Sequence, residues 1–409
     1  MNGNGQSPHP GLINLVLAEG ISASGDAFLL TAASVTVFRE TDSTTAVSLL
    51  LGLAALPTVV LSPLAGTLAD RYSRRRIMVG VDAVSAAACL AALSAVAVLP
   101  LAVAVFLAVG IVYSLSTFHR PAAQALLPVL SGEQQLGRAN SGLRLATSLA
   151  NIAGPAAAGL LVGRGGFELV LAVDAATFAV SGVLVLAITA IPAQATPAVR
   201  RSVFADAVEG LNYARRERNI RIVIAAIGVT LLVGTVVNAG TLPLVSRSLD
   251  LPESRYGALL AIEGAGAMAL AIVFLYLGPK VRLLSTGAGA LVLVGGSTVA
   301  LGTAPNFPAA AVAIAVQGMS VVALQVAFAS YLQQQAVDAF RGRVMALTSM
   351  VASLASISGF AVAGPLVDST GVRPAFALAG ALICAVAVPV ISIAWSASRG
   401  IEPERERAS

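Results

Sequence analysis

Five acidic side chains stand inside long apolar runs: Glu19, Asp26, Asp82, Asp174 and Glu263. An ionised carboxylate in hydrocarbon costs about 2.5–3.5 kcal/mol on insertion scales, so each needs a partner, water or a proton. A carboxyl that takes up a proton can carry one, and a carboxylate that keeps its charge can hold a cation. Glu19 and Asp26 are seven residues apart. In a helix that is two turns, which puts both on one face and roughly 10 Å apart along the axis. Glu263 has no basic residue in its own run. Glu19, Asp26 and Glu263 are therefore the candidates for proton coupling or cation recognition, with an interhelical hydrogen bond as the alternative for each. Asp82 and Asp174 lie nearer the ends of their runs and are expected to pair with loop arginines or helix termini. Tyr113, Asn238, Gln317 and Gln325 are candidates to line a substrate cavity, again against an interhelical hydrogen bond.

The elements that must position these groups are membrane-spanning helices. The chain has 409 residues, 57% hydrophobic and 11% charged, where a soluble domain carries about 25% charged residues. A helix crosses a bilayer core with roughly 20 apolar residues. Twelve such spans are expected, near 13–37, 46–66, 77–98, 101–118, 141–163, 169–191, 222–246, 256–277, 283–303, 308–330, 344–367 and 374–396. The polar stretch 192–221 separates six spans, 1–191, from six more and a short tail, 222–409. In that stretch Val203, Phe204, Ala207, Val208, Leu211 and Ala214 recur at helical spacing, which predicts an amphipathic helix on the membrane surface. Of the 25 Lys and Arg, all but Arg39, Arg164, Arg247, Arg255 and Arg373 fall on one side of this layout. The positive-inside rule then places both termini in the cytoplasm. Residues 1–10 are polar and the first apolar run is full-length, so no cleavable leader is expected.

An internal repeat supports two halves. Gly137-Arg138, Gly154, Gly159, Leu161-Val162 and Gly166 recur as Gly342-Arg343, Gly359, Gly364, Leu366-Val367 and Gly371, each pair 205 residues apart. Duplicated halves are a common way to build two rocking bundles around a midplane site. The net charge of +5 does not point to nucleic acid, because the basic residues sit in short loops rather than on one face. Cys89 and Cys384 fall inside apolar runs and read as buried hydrophobes. His9 and His119 have no ligand-like neighbour in the sequence. No metal, cofactor or disulfide is expected. No phosphate-binding glycine loop occurs, which argues against an ATP-driven pump, and no constellation of catalytic residues is visible.

The basic loop Gly66-Thr67-Leu68-Ala69-Asp70-Arg71-Tyr72-Ser73-Arg74-Arg75-Arg76 resembles the loop between helices 2 and 3 of major facilitator transporters. Elsewhere in the chain Ser24-Gly25-Asp26, Arg120-Pro121-Ala122, Ala139-Asn140, Gly154-Pro155, Asp174-Ala175-Ala176-Thr177-Phe178 and Gly342-Arg343-Val344 resemble the same family at spans 1, 4, 5, 6 and 11. More narrowly, the pattern is similar to enterobactin-exporter-like and macrolide-efflux-like bacterial exporters. The resemblance implies an all-α fold of twelve transmembrane helices in two six-helix pseudo-repeats. It also implies a cytoplasmic latch in which Gly66, Asp70, Arg71, Arg74 and Arg75 engage the start of span 11 near Arg343. Gly154, Pro155 and Gly159, with Gly359 and Gly364 in the second half, would be a helix-packing motif. Ser73 stands where the family loop has glycine, and Phe106 or a neighbour where antiporters of the family carry an arginine in span 4.

The expected function is a proton-coupled secondary transporter, not an enzyme, in a bacterial cytoplasmic membrane. It would export a small amphipathic compound (a drug, an antibiotic or a secondary metabolite, siderophores included) by alternating access. The expected partners are that substrate, protons and the bilayer, with no nucleic acid, and the expected state is a monomer. A nutrient importer or facilitator on the same fold is the first alternative. A non-transporting sensor or a membrane-embedded enzyme is the second.

Overall fold

The structure, a computed structural model, describes residues 10–189, 203–277 and 282–399. The regular elements among them are helices: α1 (Gly11–Thr41), α2 (Thr44–Arg71), α3 (Arg74–Val96), α4 (Leu101–Ser131), α5 (Leu136–Leu186), α6 (Val203–Arg216), α7 (Arg218–Pro243), α8 (Ser254–Leu277), α9 (Leu283–Thr303), α10 (Phe307–Gln335), α11 (Asp338–Thr370) and α12 (Val372–Arg399). Eleven helices among the described residues are long and apolar enough to cross a membrane. The first leg of the 51-residue α5, before a break at Gly166, is long enough for a further span. This is an all-α bundle of about twelve membrane helices. Large apolar side chains such as Leu160, Val183, Val312, Val388 and Trp395 are exposed. In water such a surface would be costly, and in lipid it is the matching one.

Gly166 has φ +64°, and Gly371, its counterpart 205 residues on, has φ +85°. Glycine alone enters this region at no steric cost, so the same turn separates the legs of α5 and separates α11 from α12. The repeat is also visible in the packing. In one compact unit, built from residues 10–42, 50–189 and 253–261, α1 packs on α4 and α5, and α3 on α4 and α5. In the other, built from 43–49, 203–252, 262–277 and 282–399, α7 packs on α11 and α12 and touches α10 at a few positions, and α9 packs on α10 and α12. With the legs of α5 matched to α11 and α12, these pairings correspond.

Span 4 departs from the expected 101–118, because α4 runs on to Ser131 through Pro121 and Pro128. The extension is amphipathic. Ala122, Ala123, Leu126, Leu127 and Leu130 are buried with Leu15, Met78, Val185 and Ile188, and this burial holds the chain helical past Arg120 and Pro121. The expected amphipathic helix forms as α6. It docks on α11, where Tyr213 stacks on Phe340 with ring centroids 4.8 Å apart. Residues 192–202, and the side chains of residues 203–208, lie outside the described residues.

Candidate functional site

A cavity of about 370 Å³ opens within the second unit. Ile227, Thr230, Leu231, Gly234 and Asn238 contribute one face of α7 at three- and four-residue spacing. Gln317, Val321, Leu324, Gln325 and Phe328 do the same from α10. Glu263 of α8 is the only ionisable side chain among the described lining residues. Its helix comes close because Gly318 of α10 lies against the Glu263 carbonyl, where a Cβ would have no room. The buried Gln317 Oε1 has no hydrogen-bond partner. One carboxyl and three amides in an otherwise largely apolar wall suit an amphipathic molecule with a cationic or hydrogen-bonding end. Three of the four residues expected to line a cavity meet Glu263 here. Tyr113 is used differently, because its hydroxyl donates to the Asp26 carbonyl at 3.0 Å, within the first unit.

The first unit holds the remaining acids. Asp26 accepts from Ser116 Oγ at 3.2 Å. Asp174, fully buried, accepts from Thr177 Oγ1 at 3.2 Å and from Cys89 Sγ at 3.5 Å. Gly25 lets α1 approach the second leg of α5 there, because a Cβ would collide with Asp174 and Thr177. Asp82 accepts from Ser181 Oγ at 2.8 Å. Among the described residues, neither Asp82 nor Asp174 is bonded to the loop arginine or helix terminus expected of it. Their partners are side chains of neighbouring helices, because both acids sit at buried helix crossings. His119 also departs from expectation. Its Nδ1 lies 2.7 Å from Glu19 Oε1 and its Nε2 lies 3.3 Å from Asp82 Oδ1. The three residues are 100 and 37 positions apart in sequence, so no local spacing could announce the cluster. The carboxylates flank opposite edges of one imidazole, and no group of three or more potential ligands among the described residues is arranged to hold a metal.

The arginines of the 66–76 loop are engaged within the first unit. Arg74 donates to the Ala125 carbonyl at 2.8 Å. Arg75 donates to the carbonyls of Val185, at 3.2 Å, and Leu186. A guanidinium at the end of α5 satisfies carbonyls that the last turn leaves unpaired. Gly66 lies within α2, and Arg71 at its end is exposed. The Asp70 side chain lies outside the described residues. In the second unit Arg343 Nε donates to Glu209 Oε2 of α6 at 2.8 Å, and its guanidinium lies 4.8 Å from the centre of the Phe340 ring.

The motif glycines mark close backbone crossings. A Cβ on Gly154 would lie 2.7 Å from the Ser24 carbonyl oxygen, and one on Gly159 would lie 2.6 Å from that of Ser254. Pro155, one residue beyond Gly154, has its carbonyl against Gly257 of α8. Gly359 faces Leu232 and Thr235, and Gly364 faces Thr45 and Ser48.

Two polar ties join residues that no sequence pattern pairs. Arg39 reaches Glu253 through Nε at 3.2 Å and a terminal nitrogen at 2.9 Å. This hydrogen-bonded guanidinium holds the Glu253 carboxyl below its ordinary range. Asp368 of α11 accepts from the Thr44 and Thr45 amides at 3.0 and 2.8 Å and from the Ser43 and Thr45 hydroxyls at 3.1 and 2.8 Å. It thereby caps the N-terminus of α2 from another helix, where unpaired amides favour an anion. Asp368→Ala is expected to lower stability by about 1–2 kcal/mol, the cost of a lost helix cap. A thermal melt in detergent checks this, and an unchanged midpoint would show the cap to be dispensable.

The chain resembles known proteins over most of its length. Residues 15–359 match the model of a family described as the Major Facilitator Superfamily. Macrolide efflux protein A of Streptococcus pyogenes is 26% identical over 376 residues, covering 90% of this chain and 92% of that relative. The multidrug efflux pump Tap of Mycobacterium tuberculosis is 27% identical over 397 residues, covering 90% of each. Among solved structures, a nucleoside transporter, NupG in a D323A mutant, superposes with a TM-score of 0.79 at 12% identity, covering 93% of this chain and 99% of that one. A bacterial homologue of the iron transporter ferroportin, in an inward-facing state, gives 0.71 at 14% identity, covering 93% and 98%. These structural likenesses concern the fold alone.

Proposed function

The chain belongs to the Major Facilitator Superfamily, and we propose that it works there as a proton-driven exporter of small amphipathic compounds. The observation that carries this reading is the apolar cavity in the second unit with Glu263 as its lone charge-bearing side chain among the described residues. A wall of this kind gains free energy by burying an apolar body, roughly 25 cal/mol per Å², and places one carboxyl where a cationic group or a proton can answer it. A drug, an antibiotic or a secondary metabolite, siderophores included, meets the apolar requirement. A molecule carrying one amine meets both. The efflux proteins among its relatives support the outward direction.

Carboxyls of the first unit, the buried Glu19 and the half-buried Asp26 among them, with the half-buried Glu263 in the second, supply groups that a proton gradient could drive. The concentration of arginine on one side of the spans supports a cytoplasmic location of both termini in a bacterial inner membrane. Proteoliposomes loaded with ethidium as a fluorescent probe provide the test. An imposed pH gradient is expected to drive ethidium movement that stops on adding a protonophore. Movement that persists after the gradient collapses, or that requires sodium, would overturn proton coupling.

A further inference from the structure

Each ring nitrogen of His119 faces one carboxylate, Glu19 from α1 and Asp82 from α3. The cluster is closed to bulk water: His119 is 5% exposed, Glu19 7% and Asp82 1%. Glu19 Oε1, Asp82 Oδ1 and His119 Nε2 are buried with no hydrogen-bond partner, so protons on the two short N···O approaches are what can satisfy them. A neutral imidazole offers one N–H and one bare nitrogen. With both carboxyls ionised, the bare nitrogen would turn its lone pair toward an anion. Both contacts are attractive only when two protons lie on the two N···O lines. Either both sit on the ring, or one sits on the ring and one on a carboxyl. In both cases the three groups together carry one net negative charge. Removing one of the two protons would leave two net negative charges in a buried crossing, and breaking a buried pairing in this way is strongly unfavourable.

The charged surroundings are few. Asp26 lies two turns beyond Glu19 on α1, and Asp174 lies two turns from Ser181 on α5. Both are acids, already engaged by Ser116 and by Thr177 and Cys89. Arg74 and Arg75 at the start of α3 are turned to backbone carbonyls, and Arg120, beside His119 on α4, is exposed. Among the described residues no arginine or lysine forms an ion pair with Glu19 or Asp82.

We propose that the Glu19–His119–Asp82 bridge is a proton site of this transporter, closed while two protons lie between its three groups and opened when one passes to water. Loss of that proton frees α4 from α1 or from α3, so the protonation state and the packing of these helices change together. Asp82 is a positioning residue in this site, itself oriented by Ser181. The transport consequence rests on the proton-driven reading above, whereas the state of the ring does not.

The chain has two histidines, so the His9→Gln protein carries a single imidazole. Nitrogen-15 NMR of that protein in lipid nanodiscs at pH 7 is expected to show both ring nitrogens bearing protons or hydrogen-bonded to one. Adding Glu19→Gln and Asp82→Asn is expected to restore a ring with one bare nitrogen. A bare nitrogen in the His9→Gln protein itself would overturn the proposal. In proteoliposomes, His119→Gln and Glu19→Gln are each expected to lose the response of ethidium movement to a pH gradient while still exchanging ethidium. Glu19→Gln, which keeps shape and an acceptor, guards against misfolding of the histidine variant. A wild-type pH profile in both would overturn the site. If the unaltered protein moves no ethidium under any gradient, the export reading fails, and the ring nitrogens still decide the proton site.

Discussion

Glu263→Gln is expected to abolish gradient-driven movement of a lipophilic cation while the protein inserts and folds as before. The amide keeps the shape and hydrogen-bonding capacity of the carboxyl, so the closeness of Gly318 to the Glu263 backbone and the cavity of about 370 Å³ are preserved. What is lost is the charge. Removing one partner of a buried charge pair costs about 2–5 kcal/mol, on the order of thirtyfold to several thousandfold in affinity. Equilibrium binding of ethidium and of an uncharged analogue separates two roles for the residue. Weakening confined to the cation identifies Glu263 as its counter-charge. Loss of gradient response with binding intact for both identifies it as a proton carrier. Unaltered binding and unaltered transport for both would sink the assignment of this cavity.

The second large effect is expected from Gly154→Val. A Cβ at this position would lie 2.7 Å from the Ser24 carbonyl oxygen, 2.8 Å from Ala27 Cβ and 2.9 Å from the Phe28 amide nitrogen. Two of these are backbone atoms that cannot rotate away, so α1 itself must shift. Overpacking of this kind costs about 1–3 kcal/mol or more. Because α1 carries both Glu19 and Asp26, the shift also pulls them from His119 and Ser116. The expected outcome is a lower melting midpoint together with lost transport. Gly137 supplies the control, since a Cβ there meets nothing within 4 Å. Gly137→Ala is expected to be neutral or to stabilise by about 0.4–1 kcal/mol through reduced freedom of the unfolded chain. Equal damage from both substitutions would show that the α1–α5 crossing is not what Gly154 serves.

These two glycines show where sequence reading stops. Gly137 and Gly154 both recur 205 residues later, and as letters they weigh the same. In space one faces an open surface and the other a helix backbone. The repeat was legible because duplication preserves residue order, and the positive φ of Gly166 and Gly371 is its structural trace.

Length and apolarity alone determined the class of this protein and the approximate number and place of its helices. A charge-free run of twenty residues has few alternatives to a membrane helix, since every backbone polar group in lipid must be satisfied within the segment. Only the tertiary structure decided how the helices are rotated about their axes. Helices that are apolar nearly all round carry little facial asymmetry in sequence, so nothing in the residues around Glu19, Asp82 or His119 says which neighbour each will meet. That choice belongs to packing, through glycines that admit a close crossing and bulky residues that hold one apart. It is why Tyr113 joins Asp26 rather than the second unit's cavity, and why Asn238 of α7 and Gln317 and Gln325 of α10 line one cavity with Glu263 of α8. The arginines beside Asp70 followed the same logic. Their charge marks a side of the membrane in the sequence, but their partners, the carbonyls of Ala125, Val185 and Leu186, exist as targets only once α4 and the end of α5 have packed beside them.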